Sequence, residues 1–294
     1  MQVLKKIIVF LIFSNIFVSL CAASLSYATA IIFQIAADFF TSLFVFFSTL
    51  SVYNFHRIAV SEKLETVAFL SYRHKWIIQH KKGLTAITAI SIIASIFIYL
   101  FEFSNKGNIF LLLFPFSLLA LWYVVDIRKF FPFFKNGVKP LRTVPYIKIV
   151  LISITWTAVT AWLVIIELGL DLLSVPVLLL SAERLLFIFA ITLPFDIRDM
   201  KQDQAMNIKT FPIMLGVDKT KQLAYGALIL FSLLSVLRAI LIPADPMIAV
   251  ALVTSALLAI YIVSLSGSNK SEYYYSGLVE STMLIQFLLL FQMV

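Results

Sequence analysis

Residues 195–216 read FDIRDMKQDQAMNIKTFPIMLG. Three carboxylates, Asp196, Asp199 and Asp203, stand at i, i+3 and i+7, a spacing that puts them on one face if the segment is helical. Three like charges on one stripe repel each other and lose hydration beside a membrane. The arrangement is costly unless a cation lies among them. A hard divalent ion suits such a stripe, and Mg2+ takes one or two carboxylates while sharing the rest of its shell with water and phosphate. The plainer alternative is a solvated helix end whose acids pair with Arg198, Lys201 and Lys209. Spacing alone leaves both open.

Outward from this stretch the chain is apolar. Of its 294 residues, 62% are hydrophobic, where soluble domains sit nearer about 45–50%. Long apolar runs recur throughout, so lipid is the expected partner. The net charge of +8 does not indicate nucleic acid, because the basic residues lie in short loops between apolar runs. The single cysteine, Cys21, allows neither an intrachain disulfide nor a thiolate metal cluster. Lys5 and Lys6 followed by an apolar run and Ala22, Ala23 and Ser24 resemble a signal peptide. The apolar character continues through Ile31–Phe33, longer than an ordinary h-region, so an uncleaved first helix is expected.

The fold class expected is all-α: one domain over residues 1–294, a polytopic bundle of about nine transmembrane helices. The spans fall near 5–28, 34–58, 84–103, 108–126, 146–168, 172–197, 221–242, 246–266 and 276–294. With this assignment all lysines and arginines but Lys106, Arg184 and Arg238 fall on one side. The positive-inside rule then places the N-terminus and long loops in the cytoplasm and the C-terminus outside, as a multi-pass inner-membrane protein. An odd number of spans is needed for that pattern. Glu183 and Arg184 in the sixth span and Glu280 in the ninth are ionisable groups at membrane depth, where each is expected to face a cavity or another helix.

The string D-x-x-D-x-x-x-D, followed by Lys209-Thr210, Pro212 and Gly216, resembles the second aspartate-rich motif of the UbiA superfamily of intramembrane prenyltransferases, and its place after the sixth of nine spans agrees. The resemblance implies a Mg2+ ion held by Asp196, Asp199 and Asp203, and through it the diphosphate of a polyprenyl donor. The prenyl group would pass to an aromatic or related hydrophobic acceptor inside the membrane. Lys139-Pro-Leu-Arg142-Thr143 and Lys148 are similar to the basic segment before the family's fifth span. With Asn54, Arg57 and Lys209, residues Arg142 and Lys148 are the candidate diphosphate contacts, through charge-assisted hydrogen bonds. For Arg142 and Lys148 the alternative is simple positive-inside charge.

One motif departs from the family. Its first motif reads N-D-x-x-D-x-x-x-D, and here residues 54–62 read Asn54-Phe55-His56-Arg57-Ile58-Ala59-Val60-Ser61-Glu62. Phe55 and Ile58 cannot ligate a metal, so a second Mg2+ is not expected. Either His56 and Arg57 supply compensating positive charge, or the protein is a catalytically inactive UbiA-fold member that binds an isoprenoid or quinone. Plain interfacial anchoring accounts equally for His56 and Arg57. Trp156, Trp162, Phe187 and Phe189 are candidate linings of a prenyl chamber. A transporter would show paired broken spans in two halves, which the sequence lacks.

Overall fold

Lipid offers no hydrogen bonds, so a chain this apolar satisfies its backbone within helices. The computed structural model describes residues 2–64, 72–104, 106–124, 146–205, 208–243 and 245–293, and among these every regular element is helical. In chain order they are α1 (Gln2–Phe13), α2 (Ile16–Ile32), α3 (Phe39–Leu64), α4 (Tyr72–Gln79), α5 (Lys81–Ile98), α6 (Gly107–Val124), α7 (Ile147–Thr157), α8 (Leu163–Glu167), α9 (Val175–Ala205), α10 (Phe211–Leu215), α11 (Val217–Leu241), α12 (Pro246–Ser264) and α13 (Glu280–Phe291). Turns of π-helix extend α5 over Tyr99–Phe103, join α7 to α8 over Ala158–Trp162 and lead into α13 over Tyr274–Val279. The protein is thus an all-helical membrane bundle.

A helix stands at each place where the sequence predicts a span, but the spans are not uniform. Six are long and apolar enough to cross a bilayer: Lys81–Phe103, Ile147–Glu167, Val175–Ala205, Val217–Leu241, Pro246–Ser264 and Tyr274–Phe291. A seventh results if α1 and α2, bent by 63°, form one broken span. By length and composition alone, six or seven of the expected nine pass among the described residues. Asn54, His56 and Arg57 interrupt the apolar run of α3, while α6, Gly107–Val124, is apolar along its length.

The long helices close into a ring. α2 packs on α3, α3 on α6, α6 on α8, α7 on α9, α9 on α11, α11 on α12, α12 on α13, and α13 returns to α2. α5 lies outside the ring against α3 and turns Ile93, Phe97 and Phe101 outward, as a lipid-facing helix does. Local chemistry sets the ends. Asp38 accepts hydrogen bonds from the backbone N–H groups of Phe40 and Thr41 at the start of α3. Asp245 accepts from Met247 N–H ahead of Pro246 in α12, a cap followed by proline at the first helical position.

The first predicted span, 5–28, is two helices. The chain breaks at Ser14-Asn15, where Asn15 takes φ 61°, a left-handed conformation that asparagine tolerates better than most residues. Ser and Asn also compete with a helix by offering local side-chain hydrogen bonds. α1 then lies against α4. There Val9, Ile12, Phe13, Trp76, Ile77 and Leu84 form a small apolar core separate from the main one.

Inside the ring two ionisable side chains pair between helices. Glu183 of α9 accepts from Arg238 Nε of α11 at 2.9 Å, with both side chains buried. The neighbouring Arg184 points elsewhere and donates through Nη2 to Thr29 Oγ1 of α2. Adjacent residues on a helix diverge in this way.

Candidate functional site

α9 continues as one helix from Val175 through the acidic stretch to Ala205, so the predicted stripe exists. Asp196 and Asp203 are buried, and Asp199 is about a quarter exposed. A cation stands among them. Lys148, one residue into α7, places Nζ 2.7 Å from Asp196 Oδ1, 3.9 Å from Asp199 Oδ2 and 3.9 Å from Asp203 Oδ2. Tyr146, just ahead of α7, has φ 62° and donates its N–H to the backbone carbonyl of Lys209. Its ring packs on Phe211, with centroids 4.4 Å apart. The Lys-Thr-x-Pro segment after the aspartates therefore anchors the base of Lys148 through backbone and ring.

Arg198 grips the second acid. Its Nε donates to Asp199 Oδ1 at 2.7 Å and its Nη2 to Oδ2 at 3.0 Å, while Nη1 reaches Glu272 at 3.2 Å. The alternative of acids paired with local bases thus holds for Asp199 and Arg198. Lys209 is exposed, and among the described residues no ion pair joins it to the aspartates. Arg142 lies outside the described residues.

The degenerate first motif faces the same cluster through Asn54 and Arg57. Asn54 is fully buried, and its Oδ1 accepts from Asn15 Nδ2 at 2.7 Å. Asn15 Oδ1 in turn accepts from Arg73 Nη2 at 2.9 Å, and Arg73 Nη1 donates to Ser276 Oγ at 3.0 Å. Ile58, one turn beyond Asn54, packs against the apolar core of α1 and α4. Where the family pattern has a carboxylate, this face of α3 has become hydrophobic packing. Arg57, half-buried, acts electrostatically on Arg73, Asp199 and Glu280.

Arg73 is a site residue that the sequence did not single out. It is 4% exposed. Burial, then the guanidiniums of Arg57 and Arg198, disfavour its charged form and lower its pKa. Burial and Arg57 likewise lower the pKa of His74. Asn15, Glu272 and Ser276 were also not anticipated. Asn15 comes from a break and Ser276 from a π-helical turn in an apolar run, where a polar residue is the available signal, while Glu272 ends the polar stretch ahead of that turn.

Three buried atoms in the cluster have no hydrogen-bond partner among the described residues: the donors Asn54 Nδ2 and Arg73 Nε, and the acceptor Asp203 Oδ2. Native proteins leave few such groups unpaired, and each needs an explanation. The donors suit an anionic oxygen and the acceptor suits a cation. The donor set around Asp203 is hard oxygen, as Mg2+ requires, and Lys148 shows that a cation is stable there. With Lys148 and Arg198 as they stand, no three acidic, His or Cys groups among the described residues converge to hold a metal. The residues fit the ion once Lys148 withdraws.

An apolar cavity of about 150 Å3 opens within the ring among α2, α3, α6 and α7. Tyr53 and Trp156 line it, and Trp156 Nε1 donates to Tyr53 Oη at 3.2 Å. Tyr53 adjoins Asn54, and Trp156 lies about 12 Å along α7 from Lys148. The cavity therefore lies deeper along α3 and α7 than the polar cluster. Of the four aromatics expected to line a chamber, Trp156 does. Trp162 instead donates to Ser181, Phe187 packs on Phe231, and Phe189 packs on Phe211.

The UbiA prenyltransferase family model matches residues 139–275, the part of the chain with Lys148, the three aspartates and Glu272. No curated protein matches. Among solved structures, the chain is similar to a UbiA homologue from Archaeoglobus fulgidus bound to GPP and Mg2+, with TM-score 0.67, 11% identity and coverage of 97% of this chain and 98% of that one. The same homologue bound to DMAPP and Mg2+ gives TM-score 0.64 at 11% identity, covering 96% and 98%. A structure describing digeranylgeranylglyceryl phosphate synthase in membranes gives TM-score 0.57 at 18% identity, covering 99% and 98%. These likenesses establish the fold over nearly the whole length.

Proposed function

We propose that the chain, whose residues 139–275 match the UbiA prenyltransferase family model and whose fold is that of a solved UbiA homologue, binds a polyprenyl diphosphate at the Asp196–Asp203 end of the bundle and transfers the prenyl group to a hydrophobic acceptor within the membrane. The observation that carries this reading is the cation held among Asp196, Asp199 and Asp203 beside donors on Asn54 and Arg73 that have no partner among the described residues. Lys148, Arg198 and Lys201 lie at this end, which makes it the cytoplasmic end by the positive-inside rule, and an inner membrane is the setting proposed.

Each residue then has a task. Asn54 Nδ2 and Arg73 Nε donate to phosphate oxygens, and Arg57 and Arg198 add positive charge beside them. Asp196 and Asp203 would hold a Mg2+ ion, while Asp199 joins only by giving up a hydrogen bond from Arg198. When bound, that ion would neutralise charge on the departing diphosphate. The cavity excludes water from the allylic cation. The Trp156 and Tyr53 rings offer it their π faces. Asn15 and Ser276 orient Arg73.

The second reading, a UbiA-fold protein that binds an isoprenoid or quinone without turnover, is favoured by Ile58, which commits the first-motif face to apolar packing. Purified protein in detergent, titrated with geranyl diphosphate and Mg2+, tests the first step. Binding is expected, and Asp203→Asn should weaken it. Pyrophosphate release with a candidate acceptor separates transferase from binder. Absence of any donor binding would refute the proposal.

A further inference from the structure

Lys148 and a metal ion compete for the same carboxylates. We propose that Lys148 is a built-in placeholder cation, displaced when donor and divalent ion arrive, so that the ion and the prenyl diphosphate bind together and each binds poorly alone. The inference rests on the donor reading above and adds a binding order to it.

The geometry is direct. The Lys148 ammonium touches Asp196 Oδ1 at 2.7 Å and stands 3.9 Å from one oxygen each of Asp199 and Asp203. A magnesium ion bonds oxygens at about 2.0–2.1 Å, so an ion on Asp196 and Asp203 would lie against the ammonium and be repelled by it. Asp203 Oδ2 is buried and accepts no hydrogen bond from the described residues, so the lysine fills the seat without satisfying it. The ammonium is tethered one residue into α7, and a free ion must displace a partner that never diffuses away.

Charge explains why the donor is needed. The described cluster holds four cations, Arg57, Arg73, Lys148 and Arg198, and its carboxylates are the three aspartates with Glu272 and Glu280. These charges nearly cancel, with the acids in slight excess. A polyanionic diphosphate entering alone meets no surplus of positive charge among these described residues. A divalent ion entering alone meets the ammonium. When both enter, Lys148 moves from carboxylate to phosphate oxygen and keeps a charge-assisted hydrogen bond throughout, while the ion takes the vacated oxygens.

Mn2+ serves as the probe, with free ion measured by electron paramagnetic resonance on detergent-purified protein. Wild type should bind Mn2+ weakly alone, and geranyl diphosphate should tighten Mn2+ binding by about tenfold or more after correction for their complex in solution. Lys148→Met should bind Mn2+ alone at least about tenfold tighter than wild type. Adding Asp203→Asn to that variant should remove the gain. Lys148→Gln, checked for a cooperative thermal melt, guards against misfolding of the methionine variant. Tight Mn2+ binding by wild type without donor, or no gain in either lysine variant, overturns the proposal. Geranyl diphosphate that binds wild type equally well with and without Mn2+ overturns the coupling and spares the donor reading. No geranyl diphosphate binding under any condition overturns both.

Discussion

Glu183→Ala should destabilise the bundle by about 3–5 kcal/mol, the usual cost of removing one member of a buried ion pair. The side chains of Glu183 and Arg238 are 1% and 5% exposed, and the Nε–Oε1 distance is 2.9 Å. Without the carboxylate, Arg238 is left charged at membrane depth. Arg184, which also feels Glu183, loses its nearest counter-charge. Glu183→Gln keeps an acceptor oxygen and should cost less, about 1.5–3 kcal/mol, the worth of a hydrogen bond to a charged group. The double change to leucine at both positions should recover most of the loss, because apolar replacement of a whole buried pair is often neutral or stabilising. Unfolding in detergent of the wild type, Glu183→Leu, Arg238→Leu and the double completes the cycle. A single-variant cost below about 1 kcal/mol, as for an exposed pair, or a double cost equal to the sum of the singles, would refute the reasoning. The pair matters to the site because it clamps α9, which carries the aspartates, to α11.

Three further outcomes are expected. Asp196→Asn and Asp203→Asn should each weaken Mg2+-dependent geranyl diphosphate binding by about tenfold, read by calorimetry. Asn15→Gly should lower stability by about 1–3 kcal/mol through the hydrogen bonds lost to Asn54 and Arg73, and Asn15→Ala by about 1–2 kcal/mol more because alanine resists the left-handed backbone; paired thermal melts decide this. Ala22→Phe, which fills part of the apolar cavity, should cut affinity for long-chain prenyl diphosphates by about tenfold while leaving inorganic pyrophosphate binding within about twofold, at an overpacking cost of about 1–3 kcal/mol.

The aspartate stripe was legible because helical spacing acts within one segment, and α9 obeys it from Asp196 to Asp203. Lys148 was legible as a basic residue near the site, but not its seat among the carboxylates, which depends on how α7 packs against α9. Arg73 was hidden because its role requires α4 to fold back beside the π-helical turn at Ser276. Hydropathy could not place the break at Asn15, since the apolar run continues across it and only two small polar residues mark the bend. The loss of metal ligands at Phe55 and Ile58 was plain from side-chain chemistry. That Ile58 serves a second apolar core became visible only with α1 and α4 in place.

The most direct measurement is a cryo-electron microscopy map of the protein in lipid with geranyl diphosphate and Mg2+. It should show diphosphate density between Asn54–Arg73 and Lys148, an ion on Asp196 and Asp203, and the prenyl chain past Tyr53 and Trp156. A map with the Lys148–Asp196 contact intact, and the isoprenoid seated elsewhere or absent, would contradict the account.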